Sequence, residues 1–287
     1  MTMTPQLQVV PVAERIDNAR KRTVAVAGLG AVGLTVARSL DAGIPGLSLV
    51  AVCARDRDRA RSIVAGFHHS VPIEDLERLA ELADIVVECL PAAVFPLVAE
   101  PALKAGRTLV VISVGALLAY PHVIDMAKTF GGKIIVPTGA LLGLDAVQAA
   151  AQGTIHSIRM ITRKPPAGLA GVPYLIEKGI DLDRLTEPMM VFEGTVREAI
   201  KRFPANVNVA VALSLAGIGP DKTRMEIWAD PTIDRNQHTI SIDSDSARFE
   251  MSISNIPTRE NAATGKITAL SVVAALKKMS SPVRIGT

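Results

Sequence analysis

Three glycines near the start of the chain have the spacing of a phosphate-binding turn. The apolar segment Thr23–Ala27 predicts a short strand, and the sequence Gly-Leu-Gly-Ala-Val-Gly follows it directly before an apolar-rich helical pattern. In such a turn Gly28 permits the tight bend, Gly30 lets the backbone approach phosphates, and Gly33 allows close packing of helix on strand. The pattern predicts a dinucleotide-binding site. A glycine-rich turn without a ligand is the alternative.

The residues after the glycines indicate which dinucleotide is accepted. The backbone N–H groups of Ala31 and Val32 open the predicted helix, where the positive end of the helix dipole faces an anion. NAD-selective domains place an acidic side chain about twenty residues later, on the adenosine ribose. Here Cys53 or Ala54 takes that place and Arg55 follows. Because guanidinium suits phosphate geometry, we predict that Arg55 contacts the 2′-phosphate and that NADP is accepted alongside NAD. A solvated arginine near a helix start is the alternative.

Length, charge and composition exclude several classes of protein. A chain of 287 residues is long enough for two domains. A net charge of +3 and an aromatic content of 3% argue against a nucleic-acid partner. No apolar run reaches the length of a bilayer span, and the first residues lack the pattern of a signal peptide. Two cysteines, Cys53 and Cys89, favour a reducing compartment. We therefore expect a cytoplasmic protein without a membrane partner, a disulfide or a metal site.

Strand and helix patterns alternate up to about Val136. Short β-rich runs separated by helices of this length predict βαβ units on a Rossmann-type parallel sheet. The predicted strands are Thr23–Ala27, Ser48–Cys53, Asp84–Cys89, Thr108–Ile112 and Lys133–Val136. The predicted helices are Ala31–Ala42, Arg57–Gly66, Ile73–Leu82, Val94–Ala105 and Pro121–Thr129.

The pattern changes near Pro137, where longer and more alternating strands begin. Alternation in His238–Asp243 and Arg248–Ile253 predicts an antiparallel pair with one face on a core. The fold class is therefore α/β, with a mixed α/β substrate domain beside the Rossmann-type domain. The predicted divisions are a tail or short helix over 1–22, a dinucleotide-binding domain over 23–137, a substrate domain over 138–255, and a C-terminal helix within 256–287 that can pack back on the first domain.

Four stretches of the second half, in order and at plausible spacing, resemble the L-aspartate dehydrogenase family. They are more specific than the glycine turn, and the likeness runs from about Thr23 to the C-terminus. The stretches are Pro137–Ala140 followed by Gly143–Ala146, Thr162–Pro166, Phe192–Ala199 leading to Phe203–Ala210, and Ala229–Pro231 leading to Asn236–Ile240.

The resemblance implies a two-domain enzyme that forms a homodimer. Enzymes of this family oxidise L-aspartate to iminoaspartate with NAD or NADP. The imine is hydrolysed to oxaloacetate and ammonia or feeds NAD biosynthesis. By resemblance the active-site histidine falls on His238, and contacts to the nicotinamide fall on Ala140, through its backbone, and on Asn208.

The chemistry of this reaction suggests roles for further residues. Histidine suits a general acid–base because its unperturbed pKa lies near the operating pH, and His238 begins a predicted strand. A surface histidine at a strand end is the alternative. A dicarboxylate substrate needs cations or donors, for which we propose Lys164 and Asn206; Asn206 is equally well explained as a helix N-cap. Asp230 and Asp234 either orient His238 or stabilise turns.

The chain departs from the family pattern near its end. Where the family has Asn-Pro followed by Thr-Ser, this chain has Asn261, Ala262, Ala263, Thr264 and Gly265. The missing hydroxyl at Gly265 affects the loop and leaves His238 unaltered. Two other functions stay open at this stage. One is a related NAD(P)-dependent reductase of another small keto acid or imine, and the other is a catalytically silent dinucleotide sensor.

Overall fold

A five-stranded parallel sheet forms the first part of the computed structural model, which describes residues 21–204, 207–258 and 264–286. The strands lie in the order β2-β1-β3-β4-β5, so the chain reverses direction across the sheet between β1 and β3. Ligands of such sheets bind at the carboxyl edge beside this switch point. The strands are β1 (Arg22–Ala27), β2 (Leu47–Cys53), β3 (Ile85–Glu88), β4 (Thr108–Val111) and β5 (Lys133–Ile135).

Helices cover both faces of the parallel sheet, which confirms the predicted fold class. Because both faces are covered, β3 and β4 are buried along their whole length. Phe95 and Leu109 belong to the core on one face, and Val36 and Leu40 belong to the core on the other. The helices are α1 (Ala31–Asp41), α2 (Arg57–Val64), α3 (Leu79–Leu82), α4 (Phe95–Lys104), α5 (Ala116–Ala119) and α6 (His122–Phe130).

The helix predicted over Ile73–Leu82 is wrong for its first half. Ile73 instead forms a parallel bridge with Val52, because the backbone of Val52 bonds to the chain on both sides of Ile73. The segment around Ile73 therefore provides hydrogen-bond partners for the backbone of Val52 at the outer edge of β2. A single 3₁₀ turn follows at Leu76–Arg78, and only Leu79–Leu82 is α-helical. Pairing with the sheet edge thus overrides the local helical pattern.

A second, mixed sheet of five strands follows, in the order β10-β9-β6-β8-β7. The pair β6 and β8 is parallel, and the other neighbours are antiparallel, including the predicted pair of β9 and β10. Alternate residues of β9, from His238 to Ile242, are buried on one face. The strands are β6 (Ile155–Lys164), β7 (Met189–Thr195), β8 (Arg224–Ala229), β9 (Gln237–Ser244) and β10 (Arg248–Ser254).

Helices of the second half lie before, between and after the strands of the mixed sheet. The helices are α7 (Leu144–Ala150), α8 (Pro173–Glu177), α9 (Val196–Arg202), α10 (Asn208–Ala216) and α11 (Lys266–Ser280). The last of them packs on the parallel-sheet side, where Val272 and Leu276 join the core that contains Val36. Almost all of the predicted tail over 1–22 lies outside the described residues. Within the described ranges, every helix is too short or too polar to cross a bilayer.

Candidate active site

The glycine turn after β1 is shaped by three different steric requirements. Gly28 has a φ of +97°, and a Cβ there would lie 2.5 Å from the carbonyl oxygen of Cys89. A Cβ on Gly33 would lie 1.9 Å from the carbonyl oxygen of Gly28, so only glycine lets α1 pack this closely. A Cβ on Gly30 would meet no described atom within 4 Å. Gly28 and Gly33 therefore serve the fold, and Gly30 leaves space in front of the helix.

That space lies at the amino end of α1, where the helix dipole favours an anion. Gly30 is the N-cap and makes no side-chain cap bond, and the first turn of α1 contains no acidic residue. The N–H groups of Ala31 and Val32 belong to the first turn, whose donors have no partner within a helix. The residues present thus fit the phosphates of NAD or NADP, which the glycine spacing predicts.

Arg55 lies just beyond the carboxyl end of β2, the neighbour of β1, and its side chain is exposed. The next residue, Asp56, caps α2 by accepting from the backbone N–H of Arg59 at 2.9 Å. Asp56 is therefore engaged in the helix cap. The contact between Arg55 and the 2′-phosphate stays a prediction.

A cavity of about 270 Å³ lies between the carboxyl edge of the parallel sheet and the mixed sheet. It brings together five of the residues singled out from sequence: Val32, Ala140, Lys164, Asn208 and His238. The glycine turn reaches the cavity through Val32. Asn206 lies outside the described residues. The other lining residues include Ile112, Val114, Thr138, Gly139, Asn236, Asn255, Thr264, Gly265 and Thr268.

His238 is a buried residue of this cavity, with 4% of its surface exposed. The alternative of a surface histidine is therefore wrong. Its register partner on β6 is Thr162, whose Oγ1 lies 3.1 Å from Nδ1 of the imidazole. Burial, and secondarily the charge of Lys164, lower the pKa of His238 to about 3. The pKa of His238 therefore departs from the unperturbed value, and the imidazole is neutral at pH 7.

Lys164 is the last residue of β6. Its side chain lies on the same face of the strand as that of Thr162, which is two residues earlier. The lysine is 3% exposed, and burial lowers its pKa to about 8. It is therefore still protonated for the most part at pH 7. Arg163 points to the opposite face, where its guanidinium lies 5.2 Å from the centre of the Trp228 ring. The alternation of the strand thus selects Lys164 as the cavity cation.

Asp230 and Asp234 serve turns and ion pairs and do not orient His238. Asp230 accepts from the backbone N–H of Thr232 at 2.9 Å and from Arg163 at 3.0 Å. Asp234 pairs with the adjacent Arg235. The group that holds the imidazole is instead Thr162. Side chains two residues apart in a strand lie on the same face, so Thr162 could have been found from Lys164 together with the pairing of β6 and β9.

Two asparagine amides line the cavity from segments far apart in sequence. Oδ1 of Asn208 accepts from the backbone N–H of Gly115 at 3.0 Å, just beyond β4. Nδ2 of Asn255 donates to the carbonyl oxygen of Ala140 at 3.0 Å, in the segment after β5. Sequence reasoning missed Asn255, which follows β10 where that strand lies beside the start of β9.

Glu88 is a further buried group that sequence reasoning missed. It ends β3 and accepts from the backbone N–H groups of Leu90, Ser113 and Ile112 at 2.7, 3.0 and 3.2 Å. Burial raises its pKa, although these hydrogen bonds act in the opposite direction. The carboxylate thus ties together two loops at the carboxyl edge of the sheet. Across the described ranges, no cluster of three or more His, Cys, Asp or Glu side chains is placed to hold a metal ion.

Comparison with known families matches the two halves separately. A model described as "Aspartate dehydrogenase, C-terminal" matches residues 145–279, and one described as "Homoserine dehydrogenase, NAD binding domain" matches residues 28–137. These two matches meet close to the change of pattern at Pro137.

Individual proteins match over nearly the whole chain. An L-aspartate dehydrogenase of Bradyrhizobium diazoefficiens is 54% identical over 264 residues, which cover 92% of this chain and 94% of that protein. The L-aspartate dehydrogenase of Methanosarcina acetivorans is 37% identical over 268 residues, with 92% and 99% covered. The crystal structure of aspartate dehydrogenase from Thermotoga maritima superposes with a TM-score of 0.69 at 26% identity, covering 92% of this chain and 99% of that one.

Proposed function

This chain belongs to the L-aspartate dehydrogenase family, and from that premise we propose that it catalyses the NAD(P)-dependent oxidation of L-aspartate in the cavity between its two sheets. It is an NAD(P)-dependent amino-acid dehydrogenase. Oxidation removes the Cα hydrogen with its electron pair and a proton from the amine, which gives iminoaspartate. Water then adds to the imine carbon and ammonia leaves, which gives oxaloacetate. The supporting observation is that one buried histidine and one buried lysine share a cavity with the end of the glycine turn.

The parallel-sheet side of the cavity holds the cofactor in this proposal. Gly28, Gly30 and Gly33 shape the turn, and the N–H groups of Ala31 and Val32 bind the phosphates. When bound, the nicotinamide supplies the two-electron acceptor for the hydrogen on Cα. Ala140 and Asn208 line the same cavity and place the ring within reach of the substrate.

Lys164 binds one carboxylate of the substrate. An ammonium ion almost fully buried is destabilised by loss of hydration, which is why its pKa is about 8. A bound carboxylate offsets that loss, so the pair is stronger here than at the protein surface. The second carboxylate requires another donor, and Asn206 remains our proposal for it.

His238 acts as the general acid–base for the hydrolysis of the imine. The neutral imidazole accepts a proton from the attacking water through one ring nitrogen, while Thr162 holds Nδ1. A carboxylate on Lys164 also offsets the positive charge that helps to lower the pKa of His238. Substrate binding therefore makes the imidazole a stronger base at the moment when it is needed.

A spectrophotometric assay tests this function directly. L-aspartate, D-aspartate, and oxaloacetate with ammonium are each supplied with NAD or NADP in the matching redox state, and absorbance at the reduced-nicotinamide band is followed. We expect turnover with L-aspartate and with oxaloacetate plus ammonium, and none with D-aspartate. Higher activity with a different keto acid would support the related reductase, and cofactor binding without turnover would support the sensor.

We further propose that the enzyme is a cytoplasmic homodimer. The support is the family resemblance together with two cysteines, Cys53 and Cys89, that are unpaired thiols. Sedimentation velocity of the purified protein should give twice the chain mass of 30.3 kDa. A species of single chain mass at micromolar concentration would contradict the dimer.

A further inference from the structure

The amide oxygen of Asn255 is a buried acceptor in the cavity wall. Asn255 is 3% exposed, and Oδ1 has no hydrogen-bond partner among the residues that the structure describes. A buried acceptor left without a donor is costly, so native proteins supply one from the chain, from water or from a ligand. Because Asn255 lines the cavity, a ligand can provide the missing N–H group.

The amide cannot exchange its two ends. Nδ2 donates to the carbonyl oxygen of Ala140, and the backbone N–H of Asn255 donates to the carbonyl oxygen of Asn236 at 2.8 Å. A rotation of the amide by half a turn would bring Oδ1 against the Ala140 oxygen. Oδ1 of Asn255 therefore keeps its place and can only accept a hydrogen bond.

Two asparagine amides thus line the same cavity, one with a donor and the other with an acceptor for a ligand. Because Oδ1 of Asn208 accepts from Gly115, the end of that amide suited to a ligand is the donor Nδ2. Both asparagines are tied to segments at the carboxyl edge of the parallel sheet, whereas Lys164 and His238 belong to the mixed sheet. A primary carboxamide needs one acceptor and one donor, which is the combination that the two amides offer.

We propose that Asn255 is a specificity-determining residue that accepts a hydrogen bond from the carboxamide N–H of the nicotinamide, while Asn208 donates to the carboxamide oxygen. This assignment rests on the proposed function, since it requires the dinucleotide site. It fixes which face of the ring is turned towards the substrate, because turning the ring over about the glycosidic bond would carry the carboxamide away from both asparagines.

Gly265 packs directly against this acceptor. A Cβ at Gly265 would lie 3.1 Å from Oδ1 and 3.2 Å from Cβ of Asn255. A serine at this position would also bring a hydroxyl donor next to Oδ1. Because this chain has glycine at position 265, no hydroxyl at that position satisfies Oδ1 of Asn255.

Calorimetric binding of three ligands tests the assignment without turnover. The ligands are NAD, 3-acetylpyridine adenine dinucleotide, which has a methyl group in place of the carboxamide NH₂, and ADP-ribose, which lacks the ring. We expect Asn255→Ala to weaken NAD about tenfold, the size of one lost hydrogen bond in a buried site, and to leave the analogue and ADP-ribose unchanged. Asn208→Ala is the matched control, because it weakens NAD and the analogue alike and preserves their ratio.

A second substitution tests the acceptor if Asn255→Ala fails to fold. Gly265→Ser supplies an internal hydroxyl donor to Oδ1, and we expect it to lower the preference for NAD over the analogue several-fold, whereas Gly265→Ala should lower it less. An unchanged preference in both Asn255→Ala and Gly265→Ser overturns the assignment, and a raised KM for aspartate would then place Asn255 on the substrate. Failure of the unaltered protein to bind ADP-ribose or NAD overturns the proposed function as well.

Discussion

The two walls of the cavity are built by different physical means. On the parallel-sheet wall, the described lining residues from Val32 to Ala140 are uncharged, and Gly30 leaves the backbone N–H groups at the start of α1 uncovered by a side chain. On the mixed-sheet wall, Lys164 and His238 are charged or titratable side chains with almost no contact with solvent. The first wall depends on glycines, which leave the backbone uncovered. The second depends on side chains whose pKa values are lowered by burial.

This difference decides what each wall contributes to the reaction. Backbone N–H groups do not titrate, so we expect the turn to bind a dinucleotide over a wide range of pH. Buried side chains have pKa values displaced by desolvation and by each other, so their behaviour depends on pH and on the substrate. We therefore expect substitutions on the parallel-sheet wall to affect cofactor binding, and those on the mixed-sheet wall to affect turnover and substrate affinity.

The largest effect is expected on the mixed-sheet wall. His238→Ala should lower kcat about 10³-fold, because general acid–base catalysis supplies a factor of this size. Calorimetry should give an unchanged Kd for NAD, because the imidazole belongs to the opposite wall. Wild-type kcat in this variant would remove His238 from the mechanism.

Thr162→Val is the matched control for His238, since it keeps the imidazole and removes only its partner at Nδ1. As a positioning change it should lower kcat about tenfold, the worth of one hydrogen bond, and leave KM for aspartate nearly constant. A loss as large as that of His238→Ala would mean that the wall itself has collapsed, which thermal unfolding would detect.

Two glycines on the opposite wall separate fold from ligand binding. Gly30→Ala should leave the unfolding temperature nearly unchanged, because a Cβ there meets no described atom within 4 Å. The same methyl group stands where the phosphates approach, so NAD affinity should fall about 100-fold, a steric cost typical of overfilled space. Calorimetry and thermal unfolding of the same preparation measure the two quantities.

Gly33→Ala is the counterpart that should damage the fold. Its Cβ would lie 1.9 Å from a backbone oxygen, which cannot move without shifting β1 or α1. We expect the free energy of unfolding to fall by about 3 kcal/mol. The affinity for NAD should fall as well. Equal stability of Gly30→Ala and Gly33→Ala would show that the turn tolerates both side chains.

The pH dependence of substrate affinity tests the buried lysine. Burial lowers the pKa of Lys164 to about 8, so the cation is present below this pH and is lost above it. The inhibition constant of succinate, which does not titrate between about pH 7 and pH 10, should rise about tenfold per pH unit above pH 8. Lys164→Arg keeps its charge throughout and should give a flat profile. A flat profile in the unaltered enzyme would contradict a role for Lys164 in carboxylate binding.

Sequence reasoning succeeded where function depends on local backbone pattern. The glycine turn, the parallel sheet and the antiparallel pair of β9 and β10 all follow from spacing or periodicity within one segment. It failed where a long-range pairing decides, as at Ile73, where the bonds of its two neighbours to Val52 on the edge of β2 outweigh the helical pattern. Thr162 and Asn255 were missed for the same reason, because only the register between strands places them beside His238 and Asn236. The pKa of His238 depends on burial, which no local pattern reveals.

The smallest expected effect lies at the far end of the cofactor site. Arg55 is exposed at the carboxyl end of β2, and a surface ion pair is worth about 1 kcal/mol, so Arg55→Ala should weaken NADP about fivefold and leave NAD unchanged. Because solvent screens the pair, the difference should shrink at high salt. Arg38→Ala, in the last turn of α1 and so at the opposite end of that helix from the glycines, is the control. Equal losses for the two cofactors, or a salt-independent loss, would assign Arg55 to the solvated surface and leave cofactor binding to the glycine turn and the two asparagine amides.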